Sequence, residues 1–267
     1  MTSQTIELQA VCDFLQELAP IHLAEDWDNV GLLVGDPHRQ IARIMTCLTI
    51  TPASAAEAIR QRADLIVAHH PLPFRPLKRL TTDSTPGRLL LELIGAGIAV
   101  YSPHTAFDSA AMGINQRLAE GLGLADIEPL VANEQDDRGL GAGRRGRLAE
   151  PVSLLQLAQR LKGLLALGGL HLVGAPEQHV QRVAVACGAA GAFLDPARAA
   201  GCDALVIGET SFHTCLEAEA TQVGLLLAGH FASERFAVEL LAGDLAKRFG
   251  GLSVWASQDE RDPLRWV

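Results

Sequence analysis

Three short apolar runs in this chain are each followed by a pair of potential metal ligands, and this pattern restricts the fold more than any other feature. The three sets are residues 63–68 before His69 and His70, residues 98–101 before His104 and Asp108, and residues 225–228 before His230 and Glu234. Short apolar runs bounded by turn residues are typical of buried strands. The carboxyl ends of parallel strands meet at one edge of a sheet, and ligands bind at that edge. The pattern therefore predicts a metal centre that the fold assembles from distant parts of the chain.

Strand-like and helix-like segments alternate along the rest of the chain. After a strand predicted at 41–50, Thr51 and Pro52 supply a helix cap and a first-turn proline for a helix over 53–62. Repeated β-α-β alternation of this kind predicts largely parallel sheets. The polar stretch 132–147 is rich in Asp, Gly and Arg and is the predicted domain boundary. We therefore expect an α/β fold in two lobes.

The composition excludes several classes of protein. No apolar run approaches the ~18–20 residues of a membrane span, so we expect no membrane partner. The formal charge is −9 and the single basic run, residues 144–147, is short, which argues against general nucleic-acid binding. The five cysteines form no Cys-x-x-Cys pair and several lie in apolar runs. This usage favours reduced, buried thiols and a cytoplasmic protein.

The types and spacing of the ligands indicate the metal chemistry. Adjacent residues on a strand point to opposite faces, so His69 and His70 can share a centre only where the strand ends, and Pro71 enforces a turn there. His230 and Glu234 are four residues apart at the start of a predicted helix, hence one turn apart on the same face. Imidazole and carboxylate together suit divalent Zn, Mn, Fe or Ni. The set exceeds what one tetrahedral ion requires, which predicts two divalent ions about 3.5–4 Å apart, bridged by a carboxylate and a water.

Other polar residues receive a structural interpretation. Residues 105–107 are predicted to form a loop between His104 and Asp108, and residues 25–29 a polar loop. Residues 187–191 follow a predicted strand and form either a backbone cradle for an anion or a packing turn of small residues. The remaining histidines interpreted as hydrogen-bonded loop residues are His22, His38, His171 and His179.

Seven motifs, spread over nearly the whole chain, make the sequence similar to a known family. They are residues 25–35, 68–72, 104–108, 143–146, 187–191, 207–211 and 229–234. With these motifs the chain resembles the dinuclear-metal-centre family often named GTP cyclohydrolase 1 type 2, the Nif-three-like or YbgI-like proteins. The resemblance implies that the metal ligands are His69, His70, Asp108, His230 and Glu234.

The resemblance also implies a function. It implies a metal-dependent hydrolase, with opening of the guanine ring of GTP and release of formate as the candidate reaction. His104 and His213 are the candidate catalytic residues for proton transfer, and the arginines of the run 144–147 are candidate contacts to a triphosphate. Phe107 stands where the family usually has Asn, which leaves the substrate contacts open. The alternatives are a phosphoesterase with another substrate, a non-enzymatic metal-binding or metal-delivery protein, and a ring scaffold for partner proteins.

The architecture implied by the resemblance is two α/β lobes with the metal site in the cleft between them. The first lobe would comprise residues 1–130 and 231–267, and the second, inserted lobe residues 131–230. The chains would form dimers that close into a homohexameric ring. The helix predicted at 154–167 agrees with a homo-oligomer, because it is apolar around much of its circumference and needs partners on more than one side. Glu234, with its longer side chain, is the expected bridge between the two ions.

Overall fold

The computed structural model describes residues 5–265 and shows a mixed α/β fold in two compact units, which confirms the predicted fold class. The first unit lies within Met1–Phe107 and Ala237–Arg261, and the second within Asp108–Phe236 and Asp262–Val267. The sequence interpretation put the lobe boundaries after residues 130 and 230. Residues 108–130, 231–236 and 262–265 therefore lie in the second unit and not, as expected, with the first.

Strands and helices alternate through most of the described residues. The strands are Ile6–Glu7 (β1), Gly31–Val34 (β2), Gln40–Ile41 (β3), Arg43–Cys47 (β4), Leu65–Ala68 (β5), Ala99–Ser102 (β6), Ala125–Glu128 (β7), Val131–Ala132 (β8), Gly141–Ala142 (β9), Arg144–Ser153 (β10), His171–Val173 (β11), His179–Ala189 (β12), Ala204–Glu209 (β13), Gly224–Leu227 (β14) and Ser253–Ala256 (β15). The helices are Leu8–Leu18 (α1), Pro52–Arg60 (α2), Thr85–Gly95 (α3), His104–Ser109 (α4), Ile114–Gly121 (α5), Leu154–Leu164 (α6), Leu194–Ala199 (α7), Phe212–Ala220 (α8) and His230–Arg248 (α9). Among the described residues, no helix combines the length and the apolar character that crossing a membrane requires.

The first unit is built on a five-stranded sheet in the order β15-β4-β5-β6-β2, with β2 antiparallel to its neighbour and the other pairs parallel. The four apolar residues of β5 are all buried, as is typical of a parallel strand covered on both faces. On one face Met45 and Ile66 pack with residues of α2 and α3. On the other face Thr46 Oγ1 donates a hydrogen bond of 2.8 Å to the carbonyl oxygen of Val238 in α9. Helices therefore cover both faces and leave the strand ends to carry polar side chains.

Helix α2 begins where the sequence predicts. Oγ1 of Thr51 accepts a hydrogen bond from the backbone N–H of Ser54 (3.2 Å), and Oγ of Ser54 accepts one from the backbone N–H of Thr51 (2.8 Å). Glu57 of this helix is buried, and its carboxylate accepts hydrogen bonds from Oγ of Ser257 (2.6 Å) and the backbone N–H of Asp259 (3.0 Å). Glu57 thereby ties α2 to the segment that follows β15.

The second unit is built on a six-stranded sheet in the order β11-β14-β13-β12-β10-β7. The strands β12, β13 and β14 are parallel, whereas β7, β10 and β11 run antiparallel to their neighbours, so the prediction of a parallel sheet holds for the middle strands. Arg145 of β10 is opposite Ala184 of β12 and Glu128 of β7. The polar stretch 132–147 therefore leads into the sheet and is not a domain boundary. The same pairing of β7 with β10 places residues 108–130 in this unit.

Alternate residues of β12 face two different cores. Val183 and Val185 pack in a cluster with residues of α5 and α6. Ala184 and Ala186 pack in a second cluster with residues of α7 and α8. This period of two is the side-chain period of a strand, and it shows that the central strands of the second sheet are also covered on both faces.

Candidate metal centre

The end of β5 positions two adjacent histidines in the first unit. The strand ends at Ala68, and the backbone N–H groups of His69 and His70 donate to the carbonyl oxygens of Cys47 (3.0 Å) and Leu48 (2.8 Å). The imidazole rings of the two histidines are 5.1 Å apart between centroids. The sheet therefore continues to hold the backbone of both residues after the regular strand has ended, and both rings remain near each other as predicted.

His104 joins these two histidines from the neighbouring strand. Its ring centroid lies 5.1 Å from that of His69 and 5.6 Å from that of His70. One ligand atom from each of the three residues lies within 4.8 Å of the others. His104 is the first residue of α4 and has a φ of 25°, a conformation that residues with a side chain rarely adopt. The loop predicted over residues 105–107 is wrong, because these residues form α4.

Hydrogen bonds at Nδ1 fix the orientation of two of these rings. Nδ1 of His70 is 2.7 Å from Oγ1 of Thr49, and Nδ1 of His104 is 2.7 Å from Oδ1 of Asp28. A histidine that is held at one ring nitrogen in this way presents its other nitrogen, here Nε2, to a metal. The donor atoms are therefore oriented by the protein itself.

Asp28 is a residue of this site that the sequence interpretation missed, because residues 25–29 were assigned to a polar loop. Its side chain is fully buried, and it accepts further hydrogen bonds from the backbone N–H and the hydroxyl of Thr105. Burial favours a raised pKa, but the hydrogen bonds from His104 and Thr105 outweigh it and lower the pKa of Asp28 to about 2. Asp28 is therefore a carboxylate across the physiological range, and it accepts the hydrogen bond that holds the His104 ring.

In the second unit, His230 and Glu234 lie one turn apart at the start of α9, as predicted. Nε2 of His230 is 3.2 Å from Oε2 of Glu234, and Nδ1 of His230 is 2.8 Å from Oε1 of Glu209 at the end of β13. The hydrogen bond to Glu234 is the largest cause that raises the pKa of His230 to about 9, and Glu209 adds to it against the effect of burial. A metal that binds Nε2 of His230 replaces the proton that this nitrogen shares with Glu234.

Asp108 in the second unit is held by two residues that the ligand pattern did not single out. Sγ of Cys187 donates to Oδ1 of Asp108 (3.2 Å), and the side-chain amide of Asn115 donates to the Asp108 carbonyl oxygen (3.1 Å) while accepting from the backbone N–H of Cys187 (2.7 Å). Burial, followed by the charges of Asp108 and Glu234, raises the pKa of Cys187 well above its ordinary value. Cys187 is thus a neutral thiol that donates a hydrogen bond to a predicted ligand. No local signal in the sequence identifies this pair, since the partners are 79 residues apart.

Gly188 decides between the two interpretations of residues 187–191. It has a φ of 67°, and a Cβ added at this position would collide with Oε1 of Glu234. Its backbone N–H donates to Oγ of Ser233 in α9 (3.0 Å), so this amide does not bind an anion. Residues 187–189 form the end of β12, and the glycine there allows the Glu234 carboxylate to approach, so the segment packs against α9.

The candidate catalytic residue His213 and the candidate triphosphate contacts of the run 144–147 lie outside the donor clusters. His213 is exposed in α8, with its ring 6.1 Å from that of Phe212, and it belongs to none of the metal-ligand clusters formed by the described residues. Arg144 is buried, and its guanidinium donates to the carbonyl oxygens of Ser109 and Ala110, at 2.8 and 2.7 Å. Arg144 therefore fixes the backbone next to Asp108 and is not a contact to a triphosphate. Arg145 pairs with Glu128 at 3.0 Å.

The chemistry of both donor sets fits a divalent metal. The first unit offers three imidazoles, a ligand set that zinc accepts when it keeps an open position for water or substrate. The second unit offers an imidazole and two buried or hydrogen-bonded carboxylates, those of Glu234 and Asp108. Both sets consist of borderline and hard donors, which suits Zn, Mn, Fe or Ni. The residues present can therefore hold metal ions.

Known proteins resemble this chain over almost its whole length. The family model for Duf34/NIF3 (NGG1p interacting factor 3) matches residues 6–263. A Clostridium acetobutylicum protein named GTP cyclohydrolase 1 type 2 homolog is 31% identical over 266 residues, which cover 98% of this chain and 99% of that protein. A Streptomyces coelicolor protein of the same name is 35% identical over 264 residues, 96% of this chain and 93% of that protein. The crystal structure of a Bacillus cereus protein related to NIF3 superposes with a TM-score of 0.89 at 22% identity, covering 99% of this chain and all of that one, and so has the same fold.

Proposed function

The chain belongs to the Duf34/NIF3 family, and from that premise we propose that it is a metal-dependent hydrolase that opens the guanine ring of GTP and releases formate. Two divalent ions would be held by His69, His70, Asp108, His230 and Glu234, with Glu234 as the shared ligand. The choice of GTP follows the names of the relatives, since those proteins are called GTP cyclohydrolase 1 type 2 homologs. The choice of hydrolase follows the chemistry of the donor residues.

The observation that carries the proposal is the cluster of His69, His70 and His104, whose donor atoms lie within 4.8 Å of one another. The hydrogen bonds at Nδ1 of His70 and His104 orient this cluster before any ligand arrives. When bound, divalent ions would lower the pKa of a water and polarise the atom that it attacks.

His104 is the residue that we assign to proton transfer. Its Nδ1–H donates to the buried carboxylate of Asp28 at 2.7 Å, an arrangement that fixes the tautomer of the ring and leaves Nε2 for proton transfer. His213 was the second candidate. Its ring is exposed in α8, so the proposal rests on His104.

Metal analysis followed by a formate assay tests this proposal. We expect two ions per chain in the wild type, loss of most of both in Glu234→Ala, and metal-dependent formate release from GTP that His70→Ala abolishes. His179→Ala is the matched control, because His179 is an exposed histidine at the start of β12 and should change neither quantity. The absence of formate with Zn, Mn, Fe and Ni, each restored to the apoprotein, would contradict the hydrolysis of GTP and favour a phosphoesterase or a binding protein. Two ions retained by Glu234→Ala would contradict the shared ligand.

We also propose that the chain assembles into a homohexamer in the cytoplasm. Leu155 and Leu164 of α6 are 46% and 42% exposed although Leu157 and Leu161 of the same helix are fully buried, so α6 keeps exposed apolar side chains that a partner chain would cover. The five cysteines are all free thiols, in agreement with a reducing compartment. Light scattering should give about six times the chain mass of 28.4 kDa. A mass close to one chain, at micromolar concentration with metal present, would contradict the assembly.

A further inference from the structure

Two aromatic side chains of the first unit lie exposed beside the histidine cluster. Trp27 is 61% exposed and Phe74 is 47% exposed, and their rings are 5.9 Å apart between centroids. Burial of aromatic rings is one of the main favourable contributions to folding, so neighbouring exposed rings are typical of a surface that binds something.

Both rings are in contact with His104. The centroid of the His104 ring lies 6.0 Å from that of Trp27 and 5.9 Å from that of Phe74, with the planes nearly perpendicular in both pairs. The same ring lies 5.1 Å from His69. The aromatic surface therefore begins where the donor cluster ends, and a ligand that covers Trp27 and Phe74 reaches the histidines.

Polar contacts hold the two aromatic residues in position while their rings remain exposed. The side-chain amide of Asn29 donates to the carbonyl oxygen of Pro73 at 2.8 Å, which connects the segment of Trp27 to the segment of Phe74. Between Trp27 and Asn29, the fully buried carboxylate of Asp28 is bound to His104. A surface that is ordered before binding loses little further entropy when it binds, which favours affinity.

We propose that Trp27 and Phe74 form a stacking platform for a purine base of the substrate. This inference deepens the proposed function and rests on it, because it names the part of the nucleotide that the first unit recognises. The planes of the two rings are inclined at 46°, so they do not form a parallel slot. A flat bicyclic base can stack on the exposed face of one of these rings, and such stacking requires no particular hydrogen-bond pattern. A protein partner on the same surface would cover the approach to His104, which favours the small ligand.

Nucleotide titrations of the metal-loaded protein test the platform. Trp27→Ala should weaken GTP binding about 5- to 150-fold, the range that stacking of one base on an aromatic ring contributes. Trp27→Phe should retain most of the affinity, since a phenyl ring also stacks. Binding of ribose 5-triphosphate, which has the phosphates without the base, should be the same in all three proteins. Phe212→Ala is the matched control, because Phe212 is a 72% exposed aromatic residue of the second unit.

Several outcomes would overturn the platform. These are wild-type affinity for GTP in Trp27→Ala, no GTP binding by the wild type, or an equal loss of GTP and ribose 5-triphosphate binding. A fall in the mass measured by light scattering, with GTP affinity unchanged, would identify the surface as a contact between copies of the chain. Failure of the hydrolase proposal is distinguishable, since GTP binding that depends on Trp27 without any formate release removes that proposal alone. Formate release with unchanged GTP affinity in Trp27→Ala removes the platform alone.

Discussion

Replacing Gly188 by alanine tests how Glu234 is accommodated. At a φ of 67° the backbone conformation costs an alanine about 1–2 kcal/mol relative to glycine. The added Cβ also collides with Oε1 of Glu234, and that side chain is only 4% exposed and has little space to move. Relief of such overpacking adds about 1–3 kcal/mol to the loss of stability. We expect the displaced carboxylate to weaken metal binding about 10- to 100-fold, the range found when groups that support metal ligands are changed.

Gly123→Ala is the matched control for this experiment. Gly123 has a φ of 75° in the same unit, and a Cβ added there would have no atom within 4 Å. Gly123→Ala should therefore lower the free energy of unfolding by about 1–2 kcal/mol through backbone strain alone, whereas Gly188→Ala adds the loss from the collision. Gly123→Ala should leave the metal affinity unchanged. Urea unfolding gives the free energies, and calorimetric titration of the apoprotein with Zn gives the affinities. Equal stability losses in the two variants, with wild-type metal affinity in Gly188→Ala, would refute the reasoning.

Two further predictions follow from buried carboxylates. Asp28→Asn should weaken metal binding by the first unit about tenfold while Asn29→Ala, which leaves the contact to His104 intact, should not, as metal titration of the two variants can show. Glu57→Gln should lower the free energy of unfolding by about 1–3 kcal/mol at pH 7, because the carboxylate accepts charge-assisted hydrogen bonds. Burial acts to raise the pKa of Glu57, but the hydrogen bonds from Ser257 and the backbone lower it below its ordinary 4.5, so this contribution is complete above pH 4.5 and disappears as the pH falls through the lower folded-state pKa. Acid unfolding curves that run parallel in wild type and Glu57→Gln would contradict this.

Local spacing explains why part of the site was predictable. His230 and Glu234 are related by one helical turn, and the sequence shows both the four-residue interval and the apolar run before it. His69 and His70 are placed by the end of a strand whose four apolar residues are contiguous. In both cases the period of the backbone, 3.6 or 2 residues, relates neighbours in sequence to neighbours in space.

The lobe boundaries show where local spacing stops being informative. The stretch 132–147 has the composition of a linker, yet it leads into β10, which pairs with strands on both sides. Polar residues are compatible with a strand that has one exposed face, so composition alone cannot distinguish the two. The pairing of β7 with β10, which assigns residues 108–130 to the second unit, depends on contacts between segments that the sequence does not relate.

The sequence by itself determined the α/β class, the strand ends and the types of candidate ligand that follow them, because each depends on a short run of neighbouring residues. Only the tertiary structure decided which groups orient those ligands. Asp28 reaches His104 across 76 residues of sequence, and Cys187 reaches Asp108 across 79. The tertiary structure also decided the role of Gly188, because its lack of a side chain matters only where Glu234 lies against it. The physical reason is that a hydrogen bond or a van der Waals contact between distant segments depends on how the whole sheet packs, and no periodicity in the sequence encodes that distance.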